Sequence, residues 1–275
     1  MEVQHVTTPD NIKWYVERYT AKSQAAKKDA APVVLIPSGE GDCGNLGKTA
    51  GLLADAGYDV VTFDNPGFSR TEAPKEAYNP VTPQLIAKQV VALLDELQIK
   101  QATFFGNSSG AGAVLAITAL YPERVLRGII HEAPFSPPPI IAEVKAKTDE
   151  EVVEWCKYFF VNAFIEAENE GREKWAALGE EYHARLRKNY VTWMRCLVGY
   201  YEHESDKLAT EENLHKRPIF WTVGGLSPRE FWEIDWEVAG RAGIEVRTDV
   251  LNCMHFPYVS IPEKLAEWIV ECIEK

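Results

Sequence analysis

Apolar and polar positions follow two different periodicities along the chain, one typical of strands and one typical of helices. Strand-like runs at residues 3–7 and 12–18 flank Pro9-Asp10-Asn11, which predicts an opening β-hairpin. Further on, short apolar runs alternate with segments of helical periodicity. Strands are predicted at 33–36, 60–63, 102–105, 125–131, 219–223 and 246–250, and helices at 46–56, 82–97, 111–120 and 262–275. This alternation predicts βαβ units and a mostly parallel central sheet flanked by helices.

One long segment interrupts the strand pattern. Between residues 136 and 215 the sequence has only helical periodicity and is rich in Glu, Lys, Ala and aromatic residues. It opens with Ser-Pro-Pro-Pro at 136–139, a stiff stretch that continues neither a strand nor a helix. We therefore predict an α/β core at 1–135 and 216–275, with a helical cap at 136–215 inserted after the sixth strand.

The amino-acid composition argues against some classes of binding partner and against some kinds of site. The chain has 41 acidic and 29 basic residues, and its net charge of −12 disfavours nucleic acid and anionic membrane surfaces. Its five cysteines are scattered without a C-x-x-C pair, so we predict neither disulfides nor a metal site. The first residues lack the apolar core of a signal peptide and no apolar run is long enough to span a bilayer, which predicts a cytoplasmic protein. The sequence leaves its oligomeric state open, a homo-oligomer included.

A candidate nucleophile lies between a predicted strand and a predicted helix. Residues 106–110 read G-N-S-S-G, the G-x-S-x-G pattern that holds a serine on a sharp strand-to-helix turn. In this context the pattern is typical of the α/β-hydrolase fold and makes Ser108 the candidate nucleophile. The alternative interpretation is a Gly/Ser-rich turn without chemistry.

A serine hydroxyl needs a base, and His255 has the expected position. It follows the last predicted strand and precedes the last helix, in the chain order nucleophile, acid, histidine. No carboxylate stands at the tip of the seventh strand, whereas Glu132 directly follows the sixth. Glu132 is therefore the favoured acid, because the ends of adjacent parallel strands face one crevice. Glu230 remains the alternative acid.

Two backbone amides are candidates for an oxyanion hole. One belongs to Ser109, after the nucleophile, and the other to Gly39, in the loop after the third strand. Residues 39–44 also match G-x-G-x-x-G, with Asp64 about 20 residues further on, as in a dinucleotide-binding fingerprint. The preceding hairpin and the turn sequence F-D-N-P-G-F-S-R at 63–70 argue against that dehydrogenase interpretation.

With these residues assembled, the chain resembles the fungal zearalenone lactone hydrolases from its first hairpin to its last helix. The resemblance rests on F-D-N-P-G-F-S-R, G-N-S-S-G-A, H-E-A-P, H-A-R-L-R-K-N-Y-V-T-W and M-H-F-P-Y-V-S-I-P. It implies a Ser108, Glu132 and His255 triad, a substrate-contacting tryptophan at Trp193, and ester cleavage in a macrocyclic resorcylic lactone without a cofactor. From the residues alone, Trp193 could equally be a core residue of the cap.

The chain departs from that family near its candidate catalytic positions. Family members have aspartate where this chain has Ser38, and cysteine where it has Asn107. The cap at 159–171 is also divergent. Because cap residues shape the substrate pocket, the resemblance implies the fold and triad more strongly than the lactone. A general carboxylesterase, a carbon–carbon-bond hydrolase and a non-catalytic lactone receptor remain alternatives.

Overall fold

The computed structural model describes residues 1–22, 27, 30–135, 140–196 and 205–275. The strands form one sheet in the order β1-β2-β4-β3-β5-β6-β7-β8. Their bounds are β1 Glu2–Thr7, β2 Lys13–Tyr19, β3 Val33–Ile36, β4 Val60–Phe63, β5 Ala102–Asn107, β6 Val125–His131, β7 Ile219–Thr222 and β8 Val246–Arg247. β2 pairs antiparallel with β1 and β4, and all other pairs are parallel. The predicted hairpin and mostly parallel sheet are confirmed.

Helices flank the sheet and fill the connection between β6 and β7. Those in the chain up to β6 are α1 Gly47–Asp55, α2 Pro83–Glu96 and α3 Ser109–Leu120. Between β6 and β7 lie α4 Ile140–Lys145, α5 Asp149–Phe164, α6 Gly171–Ala176, α7 Glu180–Cys196, α8 Ser205–Leu208 and α9 Glu211–Leu214. After β7 come α10 Glu233–Arg241, α11 Pro257–Ser260 and α12 Pro262–Glu274. Helix α1 packs against α12, and α2 packs against α3.

Local sequence explains where the longer helices begin. Thr82 caps α2, where its hydroxyl accepts a hydrogen bond from the amide of Leu85 (3.1 Å) and Pro83 occupies the first turn. Thr148 and Glu151 form a reciprocal capping box at the start of α5. Each cap satisfies backbone donors that a helix start otherwise leaves unpaired.

The central strands are buried on both faces. Every residue of β3, β4 and β5 is buried, as expected for parallel strands covered by helices. The edge strand β8 is shorter than the predicted 246–250, and the prediction for its last three residues is wrong. There the Arg247 guanidinium binds the Asp249 carboxylate at 2.7 Å, and the chain bends away from an edge where it has only β7 as a neighbour.

We call helices α4–α9 the inserted helices. In the described stretches 140–196 and 205–214 they contain no strand, and α5 and α4 both contact α7. Phe160 of α5 joins them to the rest of the molecule, since its ring lies 5.5 Å from Trp193 of α7 and 5.8 Å from Phe256, which precedes α11. The cap boundaries at 136 and 215 remain a prediction, and the Ser-Pro-Pro-Pro stretch lies outside the described residues.

Two further findings concern the chain as a whole. All five cysteines are buried and free of disulfides. Among the residues that the structure describes, no helix combines the length and the apolar character needed to cross a bilayer.

Candidate active site

The candidate nucleophile lies at a strained turn between β5 and α3. Ser108 has a φ of 54° and a ψ of −126°, a conformation that residues with a Cβ rarely adopt. The flanking glycines permit this turn. A Cβ on Gly106 would lie 2.7 Å from the amide of Ala111, and one on Gly110 would lie 2.6 Å from the carbonyl of Ile36. The elbow therefore packs directly against the end of β3 and leaves the half-buried Ser108 at the carboxyl edge of the sheet.

The candidate acid and base form a direct hydrogen bond. His255 lies between β8 and α11, and its Nδ1 is 2.6 Å from Oε2 of Glu132, the residue after β6. The other carboxylate oxygen, Oε1, accepts a hydrogen bond of 2.9 Å from the amide of Gly224. Both side chains are buried, whereas Glu230 lies exposed on a 3₁₀ turn. Of the two carboxylates considered from the sequence, Glu132 is the one that contacts the imidazole.

The environment of Glu132 favours its charged form. Burial opposes ionisation, but His131, His255 and hydrogen bonds from the His255 and Ser227 side chains hold the pKa of this carboxyl below its ordinary value. Complete burial lowers the pKa of His131, an effect that the adjacent Glu132 carboxylate opposes. An ionised Glu132 can accept a hydrogen bond from the Nδ1–H of His255, which leaves Nε2 as the proton acceptor of the ring.

Strand register brings the three candidate groups to one edge of the sheet. The amide of Ser108 donates to the carbonyl of His131 (3.0 Å), and the amide of Glu132 donates to the carbonyl of Thr222 (3.0 Å). The side-chain amide of Asn107 donates to the carbonyl of His255. These bonds join the ends of β5, β6 and β7 to residues 248–256, which we call the histidine loop.

The residue before His255 is also held through its backbone. The amide of Met254 donates to the carboxylate of Glu168, from the connection between α5 and α6. The carbonyl of Met254 lies 3.4 Å from Nε2 of His131. Burial raises the pKa of Glu168, and hydrogen bonds from Met254 and Ser260 partly offset this effect. An inserted segment thus contacts the histidine loop directly.

Two aromatic rings lie against the candidate base. The Trp232 ring is stacked on the His255 imidazole, with centroids 5.0 Å apart and planes 15° apart. The Phe164 ring, at the end of α5, lies 4.2 Å from the same imidazole. With these neighbours His255 is only 3% exposed, so its orientation is restricted before any substrate arrives.

Gly39 and Ser109 face a common space. Residues 37–42, which we call the Gly39 loop, contain a turn closed by the amide of Gly41 and the carbonyl of Ser38 (3.0 Å). Both Gly39 and Ser109 line a cavity of about 20 Å³, and Ser109 is the first residue of α3, whose amino end favours negative charge. Trp193 covers Gly39, since a Cβ on this glycine would lie 2.8 Å from Cδ1 of the indole.

Asp64, the acidic residue of the possible dinucleotide-binding fingerprint, is hydrogen-bonded within the chain. Asp64 is fully buried, and its carboxylate accepts hydrogen bonds from the amide of Cys43 (2.9 Å) and from Nε of Arg70 (2.6 Å). Asp64 therefore stabilises the turn at 63–70, which agrees with the interpretation of F-D-N-P-G-F-S-R as a turn sequence. In the described part of the chain no group of His, Cys, Asp and Glu side chains has the arrangement of a metal site.

Four side chains that contact the candidate site were not predicted from the sequence. Phe164 and Trp232 lie against His255, Glu168 binds the Met254 amide, and Asn189 binds the carbonyl of Glu40 in the Gly39 loop. The aromatic pair at 231–232, next to the Glu230 already considered, is a signal for Trp232, and Asn189 belongs to the N-Y-V-T-W segment used for Trp193. Glu168 lies among several acidic residues of similar appearance, and nothing in its sequence context distinguishes it.

The chain is similar to known hydrolases in sequence and in fold. The alpha/beta hydrolase fold family matches residues 31–202. Zearalenone hydrolases from Cladophialophora bantiana and Bionectria ochroleuca are 38% and 36% identical to the chain; the alignments cover 98% of it, and 96% and 97% of those proteins. The solved structure of the enol-lactonase from Burkholderia xenovorans LB400 has a TM-score of 0.76 at 16% identity, covering 99% of this chain and 100% of that one. The chain is therefore a hydrolase and belongs to the α/β-hydrolase family, within the group that includes these zearalenone hydrolases.

Proposed function

We propose that the protein is a serine hydrolase that opens the ester of a macrocyclic resorcylic lactone of the zearalenone type. The observation that carries the triad is the 2.6 Å contact between Nδ1 of His255 and the Glu132 carboxylate. The strained elbow at Ser108 supports the nucleophile. The substrate class is supported by the two zearalenone hydrolases that align with almost the whole chain.

In the proposed reaction, Oγ of Ser108 attacks the ester carbonyl while Nε2 of His255 takes the hydroxyl proton. The imidazolium that forms is stabilised by the ionised Glu132. The intermediate then loses its bond to the ester oxygen, which takes the proton from His255 and leaves as an alcohol tethered to the acyl group. Water activated by the same imidazole cleaves the acyl-enzyme and releases the open hydroxy acid.

The amides of Gly39 and Ser109 are the proposed donors to the negative oxygen of the intermediate. Both residues line one cavity, in which we place the carbonyl oxygen of the ester. We place the ring on the side of Trp193, whose indole lies beside Gly39.

The test is zearalenone turnover, followed by chromatography, for the wild-type chain and for Ser108→Ala at matched, folded concentration. We expect ring opening by the wild type and a loss of about 10⁴-fold or more in the variant. Ring opening that survives in Ser108→Ala would exclude this nucleophile.

The alternatives predict different outcomes of the same test. A general carboxylesterase or a carbon–carbon-bond hydrolase would leave zearalenone intact and still cleave p-nitrophenyl acetate, or a ketone substrate, through Ser108. A lactone receptor would bind zearalenone and turn over neither compound.

A further inference from the structure

One face of α7 lies along the Gly39 loop. Arg185, Asn189 and Trp193 are spaced four residues apart, so their side chains project from the same side of the helix. Nε of Arg185 binds the carboxylate of Asp42 at 2.6 Å, and the Trp193 indole covers Gly39. Between them, Asn189 reaches the loop backbone. The helix therefore contacts the loop at three successive points.

Asn189 is the contact that acts on the backbone. Its Nδ2 donates to the carbonyl of Glu40 (2.7 Å) and to Oγ of Ser69 (2.7 Å), and its Oδ1 accepts from the amide of Ser69 (2.9 Å). The side chain is 2% exposed. Because a carbonyl can only accept and an amide N–H can only donate, these two partners fix which way the Asn189 amide faces.

Both the side chain and the backbone carbonyl of Glu40 accept hydrogen bonds. Its carboxylate accepts hydrogen bonds from Asn45 (2.7 Å) and Tyr258 (3.0 Å), both outside the inserted helices, and also from the hydroxyl of Ser38. Its carbonyl is held by Asn189. The Glu40 carbonyl and the Gly41 amide belong to one peptide group, and this amide donates to the carbonyl of Ser38 (3.0 Å). The Ser38 carbonyl in turn shares a peptide group with the Gly39 amide, so Asn189 is linked to the orientation of that amide through the turn.

We propose that Asn189 is a positioning residue for the oxyanion hole. By binding the Glu40 carbonyl, Asn189 holds the turn in the conformation in which the Gly39 amide points toward the nucleophile. Full activity therefore requires α7 to be packed against the Gly39 loop. This inference rests on the proposed function, in which Gly39 donates to the intermediate. A hydrogen bond to a reacting oxygen requires close alignment, and a displacement of about 1 Å can cost about a hundredfold in rate.

The experiment compares four full-length chains: the wild type, Asn189→Ala, Ser69→Ala and Lys188→Ala. Ser69→Ala removes the hydroxyl that accepts from Asn189 and donates to Asp42, and leaves the bond from Asn189 to the Glu40 carbonyl in place. Lys188 is the exposed neighbour of Asn189 on α7 and is the matched control. The measurements are kcat and KM for p-nitrophenyl acetate, the rate at which diethyl p-nitrophenyl phosphate phosphorylates Ser108, and thermal unfolding to verify folding.

We expect Asn189→Ala to lower kcat about ten- to a hundredfold, with KM changed by less than about threefold and phosphorylation slowed by a similar factor to kcat. Ser69→Ala and Lys188→Ala should remain within about threefold of the wild type. If Asn189→Ala does not fold, Asn189→Asp provides the same comparison, because it has the same shape, keeps the acceptor for the Ser69 amide and loses the donor to Glu40.

An Asn189 variant with wild-type kcat would overturn the inference, as would an equal loss in Ser69→Ala, since that would indicate general packing. Failure of the proposed function looks different. A folded wild type that neither cleaves the ester nor reacts with the phosphate ester contradicts the nucleophile itself, and the inference with it.

Discussion

The carboxyl edge of the sheet and the inserted helices build the candidate site in different ways. The edge provides the groups that would react: Ser108 after β5, Glu132 after β6 and His255 after β8. The inserted helix α7 provides Asn189 and the connection between α5 and α6 provides Glu168, and these side chains bind a backbone carbonyl and a backbone amide of the loops at that edge. A loop at this edge is thus also bound by side chains that are distant from it in the sequence. Three substitutions test how separate these contributions are.

The largest effect is expected for Glu132→Gln, at the edge of the sheet. The Gly224 amide would keep the glutamine oxygen on its own side, so the NH₂ group would face Nδ1 of His255. The imidazole would then carry its proton on Nε2 and could not accept one from Ser108. We expect kcat to fall about 10³- to 10⁴-fold with little change in KM, measured with p-nitrophenyl acetate.

Glu230→Gln is the matched control, because this carboxylate is exposed on its 3₁₀ turn. It should retain activity within about twofold of the wild type. A large loss in Glu230→Gln with none in Glu132→Gln would reverse the assignment of the acid.

A smaller effect is expected for Glu168→Ala, in the inserted segment. This change leaves the buried Met254 amide, next to His255, without its acceptor. An unpaired buried donor costs about 1–3 kcal/mol, so the loop should move and kcat should fall about tenfold. Glu168→Gln keeps an acceptor oxygen and should restore most of the activity, which steady-state kinetics on the three chains would reveal.

Glu166→Ala is the control for that experiment. Glu166 lies in the same segment, pairs with Arg172 at 2.6 Å and is exposed. Equal losses in the Glu166 and Glu168 variants would indicate a general effect of the segment, without a specific role for the Met254 contact.

The smallest effect is expected for Arg185→Ala and concerns stability. Burial would raise the pKa of Asp42, but hydrogen bonds from Arg185 and Ser69 and the charge of Arg70 lower it. Removing Arg185 should therefore reduce the free energy of unfolding at pH 7 by about 1 kcal/mol, because the other two partners remain. Denaturant unfolding measures this difference.

The loss of stability in Arg185→Ala should depend on pH, because Asp42 titrates at a lower pH in the folded chain. As the pH falls, the unfolded chain protonates Asp42 before the folded chain does, because the pKa is lower in the folded state. The difference between wild type and Arg185→Ala should be complete above about pH 5 and shrink below about pH 4. Arg187→Ala, which loses an exposed pair with Glu180, should change stability by less than about 0.5 kcal/mol. A difference that persists unchanged in acid would rule out Asp42 as its source.

The sheet and its edge could be predicted because their signals are local. A strand, a glycine-flanked serine and a carboxylate at a strand end occupy adjacent positions in the chain, and parallel pairing then brings the strand ends together. The parts that involve the inserted helices could not be predicted in this way. Asn189 is 149 residues from Glu40, and Met254 is 86 residues from Glu168, so only the tertiary structure reveals these pairs.

The contact between α7 and the Gly39 loop also has a consequence for recombination among relatives. A chimera that takes its inserted helices from one protein and its sheet from another would separate Asn189 and Arg185 from the loop residues that they bind. The unit that can be exchanged is therefore not contiguous in sequence. It comprises α7, the Gly39 loop and Ser69. Laboratory shuffling should keep these three pieces from a single parent and vary the remaining faces of the inserted helices.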